Sequence, residues 1–434
     1  MNKPVAQTSP SRNLRVGIHL PLGFAAGVPL LLTQSTLIAW LTDAGVSVES
    51  IGLFAWVGMP YTLKFLWAPL LDRYAVPLLD RRRGWILLTQ FLLLCGIAVM
   101  GTMDPSGSLE RIAMIALVVA VLSATQDIVV DAYRTDALSK EERGAGVASY
   151  ILGYRIAMIV AGAGALVLSD QTSWRNVYWV MAALMLLGMV ATWFAPRAKE
   201  MPRPPDLARA ILWPLKEFFK RRGALYALAF LLLYKFGDAL VSNVLPTFLL
   251  RDMGFSKTDL GLIQKLLGLA ATIVGCSVGG LWADRIGLWK ALMIFGVAQA
   301  LANVGYLLLT LTGHNYPVLI AAIGIDNFCN GLGVAGLVVY IMSLCHRSYS
   351  ATQYALFTSA TVLMGRTLGS SAGYVAKSAN WSGFFIISIV VSVPALVLLV
   401  FMKKEIDERE REGTDDGDDD DDDDEKAAIQ EAAT

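Results

Sequence analysis

Long apolar blocks alternate with short polar interruptions along almost the whole chain. Each block runs for about 20 residues, the length a helix needs to cross a bilayer core of about 30 Å. The pattern predicts twelve helical spans, at 16–41, 46–70, 85–103, 112–133, 145–168, 176–195, 223–249, 258–282, 289–311, 317–343, 352–375 and 383–402. The longest internal polar stretch, 196–222, contains Pro202, Pro204 and Pro205, followed by an amphipathic segment at 215–220. It separates two halves of six spans each. The expected organisation is a cytoplasmic N-terminal tail at 1–15, a six-helix bundle at 16–195, a cytoplasmic linker at 196–222, a second six-helix bundle at 223–402, and an acidic, disordered cytoplasmic tail at 403–434. Strands of an outer-membrane barrel alternate apolar and polar residues and do not read as unbroken apolar blocks. The pattern therefore predicts an all-α, multi-pass membrane protein.

Composition sharpens this picture. The 434 residues are 55% apolar and 17% charged, with mean hydropathy +0.54. Soluble domains sit near about 45–50% and about 25%. A soluble enzyme, a disordered protein and a nucleic-acid binder are excluded. The net charge of zero hides a strong asymmetry. From Glu405 onward there are 16 acidic and 3 basic residues, which leaves a body of +13. Lys and Arg crowd alternate loops. With both termini cytoplasmic, the cytoplasmic segments up to Lys404 hold 23 of them and the opposite loops 5, as the positive-inside rule requires. The N-terminus lacks a clean small-residue cleavage site, so the first span is expected to be retained. Cys95, Cys276, Cys329 and Cys345 show no CxxC spacing, and His19, His314 and His346 form no cluster. Neither a disulfide nor a metal is expected.

The two halves repeat. Asp43, Gly45, Ser47, Gly52 and Leu53 recur as Asp252, Gly254, Ser256, Gly261 and Leu262 at an offset of 209. Asp72-Arg73 recurs as Asp284-Arg285 at an offset of 212, and Arg155 matches Arg366 at 211. Asp72 and Asp284 each end the second span of their half and precede basic residues, Arg81, Arg82 and Arg83 in one case and Lys290 in the other. Asp72, Arg73, Arg81, Asp284 and Arg285 are expected to form a salt-bridge latch between neighbouring helices that stabilises the outward-facing state. Plain positive-inside flanking is the competing reading.

Charge inside the spans carries the candidate chemistry. Lys64, Asp127, Asp131, Arg155, Lys235, Asp238, Lys265, Asp326 and Arg366 each cost about 2.5–3.5 kcal/mol at a bilayer centre, so they must face a polar cavity or one another. Asp127 and Asp131 lie four apart on one helix face, and Arg134 shares it. Two carboxylates this close suit the loading and unloading of a proton, with a structural ion-pair cluster as the alternative. Five cations from five helices suggest an anionic substrate, although Lys235 and Asp238 could simply pair. Asp326, Asn327 and Asn330 offer polar groups to amides or hydroxyls, or to helix–helix hydrogen bonds. Trp56, Tyr61 and Tyr234 could stack on sugar rings or serve packing alone. The GxGxxG match at Gly331, Gly333 and Gly336 lies in an apolar span without a strand–turn–helix setting and is discounted. Gly23/Gly27, Gly275/Gly279 and Gly369/Gly373 read as close helix contacts.

Parallel six-helix repeats are the architecture of major facilitator transporters, and the Asp72 and Asp284 motifs resemble that superfamily's signature. A more specific resemblance covers nearly the whole chain except the tail. Gly23-Phe24-Ala25, Lys64-Phe65-Leu66-Trp67 with Pro69 and Asp72-Arg73-Tyr74, Gln126-Asp127-Ile128-Val129 with Asp131-Ala132, Glu141-Glu142-Arg143-Gly144, Leu152-Gly153-Tyr154-Arg155, Tyr234-Lys235 with Gly237-Asp238-Ala239, and Ser350-Ala351-Thr352-Gln353 resemble the bacterial muropeptide permeases of the AmpG family. Some members carry two further C-terminal helices; this chain substitutes an acidic tail.

The resemblance implies a monomeric importer of anhydromuropeptides in the inner membrane, surrounded by lipid. It would be driven by the proton gradient without a cofactor, would serve peptidoglycan recycling, and in some bacteria would feed β-lactamase induction. It associates Asp127 and Asp131 with proton coupling. Lys64, Gln126, Arg155, Tyr234, Lys235, Asp238, Lys265, Asp326, Asn327, Asn330 and Arg366 are then the candidate substrate contacts. A facilitator for another anionic solute such as acetyl-CoA, and a membrane sensor on a transporter scaffold, are the alternative readings. No nucleophile–base or metal constellation suggests an enzyme.

Overall fold

A computed structural model describes residues 11–46, 54–77, 79–198, 206–221, 223–256, 259–369 and 371–415, and among them every regular element is a helix. In chain order the first half contains α1 (Arg12–Gly17), α2 (His19–Leu32), α3 (Ser35–Asp43), α4 (Met59–Leu63), α5 (Ala68–Arg73), α6 (Arg81–Gly101), α7 (Pro105–Ala137), α8 (Arg143–Ile159), α9 (Ala165–Ser169) and α10 (Trp174–Phe194). A connecting helix, α11 (Leu207–Lys220), follows. The second half contains α12 (Ala224–Leu233), α13 (Phe236–Thr247), α14 (Gly268–Ile286), α15 (Leu288–Ala302), α16 (Val304–Thr312), α17 (Tyr316–Leu344), α18 (Ser350–Gly369) and α19 (Ala372–Phe401), and α20 (Lys403–Asp415) closes the chain.

Nine helical runs among the described residues are long and apolar enough to cross a membrane. The expected spans at 46–70, 258–282 and 352–375 are not among the nine, and each has a local reason. The first is broken into α4 and α5 by 3-10 turns at Phe54–Gly58 and Lys64–Leu66, with Pro60 and Pro69 at the helix starts. The second opens as a π-helical stretch, Leu260–Leu267, before α14 begins. The third, α18, is rich in Ser and Thr. Part of the first repeat motif, Ser47, Gly52 and Leu53, lies outside the described residues.

Small residues let the helices approach. α2 lies so close to α8 that a Cβ on Gly23 would strike the Tyr150 carbonyl, and one on Gly27 the Tyr154 carbonyl. The second half repeats this between α14 and α17, where Gly275 and Gly279 face Phe328 and Leu332. These are the close contacts the glycine spacing predicts. The third pair differs, because Gly373 has nothing within 4 Å of its Cβ position.

The amphipathic segment of the linker lies in α11, which docks by one face: Phe218 is buried with its ring 4.9 Å from that of Phe357 on α18. One expectation for the polar segments needs correction. The tail is not disordered from residue 403. α20 is held by Glu405–Arg409 and Lys404–Glu408 pairs at 2.6 and 3.7 Å, buries Ile406, and sends Glu410 to cap α15 through the Leu288 N–H at 2.7 Å. These contacts offset the repulsion of its acidic side chains. Residues 416–434 lie outside the described residues. The linker, both described chain ends and the basic loops gather on one face of the bundle, referred to below as the basic face. Arg15 on α1, for example, pairs with Glu142 at the start of α8 at 2.6 Å.

Candidate functional site

The basic face is tied together across the two halves. Asp72 ends α5 and is fully buried. One carboxylate oxygen accepts from Arg82 Nη2 at 2.8 Å and from the Ala351 N–H at 3.3 Å; the other accepts from the Thr352 N–H at 2.8 Å and the Thr352 hydroxyl at 2.6 Å. Asp72 thus caps α18 of the opposite half, where free N–H groups and the helix dipole favour a carboxylate. Arg82 also donates to Ser350 Oγ at 2.7 Å and, through Nε, to Asp136 at 2.8 Å.

The second half answers in kind. Asp284 accepts from the Gly144 and Ala145 N–H groups at 2.9 and 3.0 Å, at the start of α8. A Cβ on Gly144 would strike the Gly280 carbonyl, so a glycine is needed where this cap forms. The latch therefore joins the halves as well as neighbouring helices. Its cation is Arg82. Arg81 instead donates to the Asp72 main-chain carbonyl at 2.9 Å, Arg73 stacks on Tyr74 with 5.5 Å to the ring centroid, and Arg285 is exposed. α11 reinforces the closure, since Gln353 on α18 donates to the Pro214 carbonyl at 3.0 Å and to Glu217 at 2.7 Å.

Deeper in the first half, the two carboxylates of α7 differ. Asp131 accepts from Arg134 Nη2 at 2.9 Å and has Lys64 Nζ at 3.7 Å. Asp127 carries a buried oxygen, Oδ1, with no hydrogen-bond partner among the described residues. Arg134 reaches across the halves to the Tyr354 hydroxyl on α18 at 2.7 Å, and its guanidinium lies 4.3 Å from the centre of the Tyr150 ring. Gln126 is fully buried, and neither end of its amide has a partner among the described residues. Arg155 makes no ion pair among the described residues; its guanidinium meets the Met158 sulfur at 3.7 Å.

In the second half Lys235 pairs with Asp238 and donates to Asn330 at 2.7 Å. Asp326 accepts from Gln299 at 3.0 Å and from the Tyr306 hydroxyl at 2.9 Å. Two expected substrate contacts have hydrogen-bond partners within the protein. The Tyr234 hydroxyl donates to the Leu292 carbonyl at 3.0 Å, and Asn327 donates to its own helix at Ile323 and accepts from Thr272 at 3.3 Å. Trp56 is exposed rather than lining the interior. The side chains of Lys265 and Arg366 lie outside the described residues. Arg82, Asp136, Tyr354 and Thr352 were not singled out from the sequence, although the run Arg81, Arg82, Arg83 carried the signal for the first.

Residues 20–370 match the sequence model of the Major Facilitator Superfamily. The anhydromuropeptide permease of Escherichia coli K12 is 44% identical over 395 residues, covering 91% of this chain and 80% of that protein. The chain belongs to the major facilitator superfamily and, within it, to the AmpG family. A putative transporter AmpG 4 of Rickettsia felis is 35% identical over 400 residues, covering 89% of this chain and 96% of the relative. Among solved structures, the E. coli fucose:proton symporter superposes with a TM-score of 0.71 at 13% identity, over 90% of this chain and 99% of that one. The human organic anion transporter MFSD10 gives 0.64 at 18%, over 90% and 100%. These two likenesses establish the fold alone, a facilitator of two helical bundles; the family match and the permease relative make the protein a multi-pass transporter rather than an enzyme.

Proposed function

We propose that the protein imports anhydromuropeptides across the bacterial inner membrane by proton symport, alternating access between the two halves. The observation that carries the coupling is the chain Lys64–Asp131–Arg134–Tyr354, which links the α7 carboxylates to α18 of the other half. With Asp131 ionised, both cations and the cross-half hydrogen bond are engaged. A proton on the pair releases positive charge toward the cavity, where the peptide carboxylates of the substrate take it up.

Arg155, without a carboxylate of its own among the described residues, is the group best placed to meet a substrate carboxylate or lactyl oxygen. The surplus of Lys and Arg on the basic face supports a cytoplasmic setting for that face and for both termini. The capped face is then the closed inner gate, and the conformation is outward-facing. The driving force is the proton motive force, and no cofactor is required. Substrate identity rests on the 44% identity to the E. coli permease.

Uptake of a labelled anhydromuropeptide into proteoliposomes, with and without an inward proton gradient, tests this reading. Accumulation only with the gradient is expected. Equal accumulation after collapse of the gradient by a protonophore would refute the coupling, and no uptake in either case would refute the substrate.

A further inference from the structure

A half-buried carboxylate in the second half is used by neither the closing face nor the α7 pair. Asp326 on α17 receives the Gln299 amide on one oxygen and the Tyr306 hydroxyl on the other, so its direct partners are neutral. The charged and titratable groups near it are Asp238 and Lys235 on the neighbouring helix pair and Cys329 on its own helix. Lys235 is already ion-paired with Asp238 and hydrogen-bonded to Asn330. Among the described residues this cluster therefore holds one more carboxylate than cation. Asp131, by contrast, has both Arg134 and Lys64. A carboxylate supported only by neutral donors at membrane depth is unfavourable while ionised, and a proton removes that cost.

The pocket is also equipped for the acid form. Gln299, Asn303 and Tyr306 lie at spacings of four and three, on one side of α15 and α16. The Gln299 carbonyl oxygen and both polar atoms of Asn303 are buried without a partner among the described residues. Donors therefore serve the carboxylate, while the idle carbonyl oxygen of Gln299, on the amide that already meets it, stands ready for a carboxylic O–H. A rotation of the Gln299 amide exchanges one role for the other.

Depth separates this site from the α7 pair. The repeat offset of 211 carries Asp127 to position 338 of α17, and Asp326 lies 12 residues nearer the Tyr316 end, away from the basic face. At about 1.5 Å per residue that is roughly 18 Å along the bundle.

We propose that Asp326 is a second proton-binding site, with Gln299 and Tyr306 as its positioning residues, loaded and unloaded independently of Asp127 and Asp131. The proposal rests on proton-coupled transport for its role in the cycle, but occupancy can be read without transport. Infrared spectroscopy of the purified full-length protein in lipid nanodiscs, from about pH 5 to about pH 9, resolves the C=O stretch of protonated carboxyl groups. A titrating acid band that disappears in Asp326→Asn, survives in Asp127→Asn and shifts in frequency in Asp326→Glu is expected. If Asp326→Asn leaves every acid band in place, or removes nothing that titrates, the proposal is overturned whatever transport does. Asp326→Glu keeps the test decisive should the Asn variant fold poorly.

In proteoliposomes, Asp326→Asn should then lower the protons moved per anhydromuropeptide by about half. An unchanged ratio would overturn a role in coupling. If the wild type moves substrate without protons, symport fails as a reading, and the infrared result still decides the site.

Discussion

Replacing Asp72 with Asn should open the basic face. Asp72 accepts four hydrogen bonds, three of them from α18 of the other half and one from Arg82. Bonds to a charged acceptor contribute about 1.5–3 kcal/mol each, and breaking one partner of a buried pair costs about 3–5 kcal/mol. The amide of Asn keeps one acceptor oxygen but turns an NH2 toward the Thr352 donors or toward Arg82. A net loss of about 2–3 kcal/mol from the closed state follows, a shift of about 30- to 150-fold in the equilibrium between conformations.

Asp284 makes two main-chain contacts and no ion pair among those described, so Asp284→Asn should shift the same equilibrium by only about 5- to 10-fold. The assay is pulsed electron spin resonance between labels at Tyr74 and Arg285, exposed positions on opposite halves, with Cys95, Cys276, Cys329 and Cys345 replaced. Asp72→Asn should move the distance distribution to the longer, open population and slow turnover, with substrate affinity largely kept. An unchanged distribution together with a large loss of affinity would place Asp72 in the substrate site and refute the latch.

Further outcomes follow from the interior. Asp127→Asn and Asp131→Asn should each abolish gradient-driven accumulation in proteoliposomes while leaving counterflow exchange measurable; in calorimetry, wild-type substrate affinity should strengthen from about pH 8 to about pH 6, and the double variant should lose that dependence. Arg155→Gln should raise KM for anhydromuropeptide by about 10-fold or more, as expected for one lost charge-assisted contact; an unchanged KM would remove Arg155 from the binding site. Tyr354→Phe deletes the cross-half bond from Arg134 and should speed opening of the basic face by about 5-fold, measured by the same spin labels, whereas Tyr234→Phe should leave KM within about twofold because its hydroxyl serves the Leu292 carbonyl.

The architecture was largely legible because bilayer thickness imposes a length on apolar blocks. The internal repeat was legible because Asp72 and Asp284 occupy equivalent helix ends. Local pairs were legible too: Asp131 with Arg134 and Lys235 with Asp238 are three apart on their helices, and both pairs form. Contacts between distant segments were not. The cap from Asp72 to Thr352 joins a side chain to a main-chain N–H 280 residues away, and no composition or period records such a pairing. The partners of Tyr234 and Asn327 were hidden for a related reason. A polar group in an apolar span satisfies itself on a neighbouring helix as readily as on a substrate, and residue type alone does not distinguish the two. The helix α20 was hidden by its acidity, because the stabilising terms are the Glu405–Arg409 spacing, the buried Ile406 and a cap on a helix more than 100 residues earlier.

The placement of Arg134 explains how a proton governs a gate about one helix turn away. Asp131 and Arg134 sit on the last turns of α7, and Asp136 on the same segment receives Arg82, the cation of the Asp72 latch. Arg134 and Arg82 both reach α18, the first through the Tyr354 hydroxyl and the second through Ser350 Oγ. The proton site therefore bears on α18 from α7, and the latch bears on it through Arg82 of α6, which Asp136 ties back to α7, at points four residues apart on α18. A change in charge at Asp131 need travel no further than the span from Tyr354 to Ser350, about 6 Å at 1.5 Å per residue. Coupling of this kind requires only that α18 have two positions, and each of its two anchors, Arg134 and Arg82, biases that choice. It also fixes an order. The Arg134–Tyr354 bond depends on how strongly Asp131 holds the guanidinium, whereas the Asp72 cap has its own cation in Arg82 and does not. Loss of the first should weaken the second without breaking it, so the gate opens in two steps, and the Tyr354→Phe and Asp72→Asn shifts should add to less than their sum when combined.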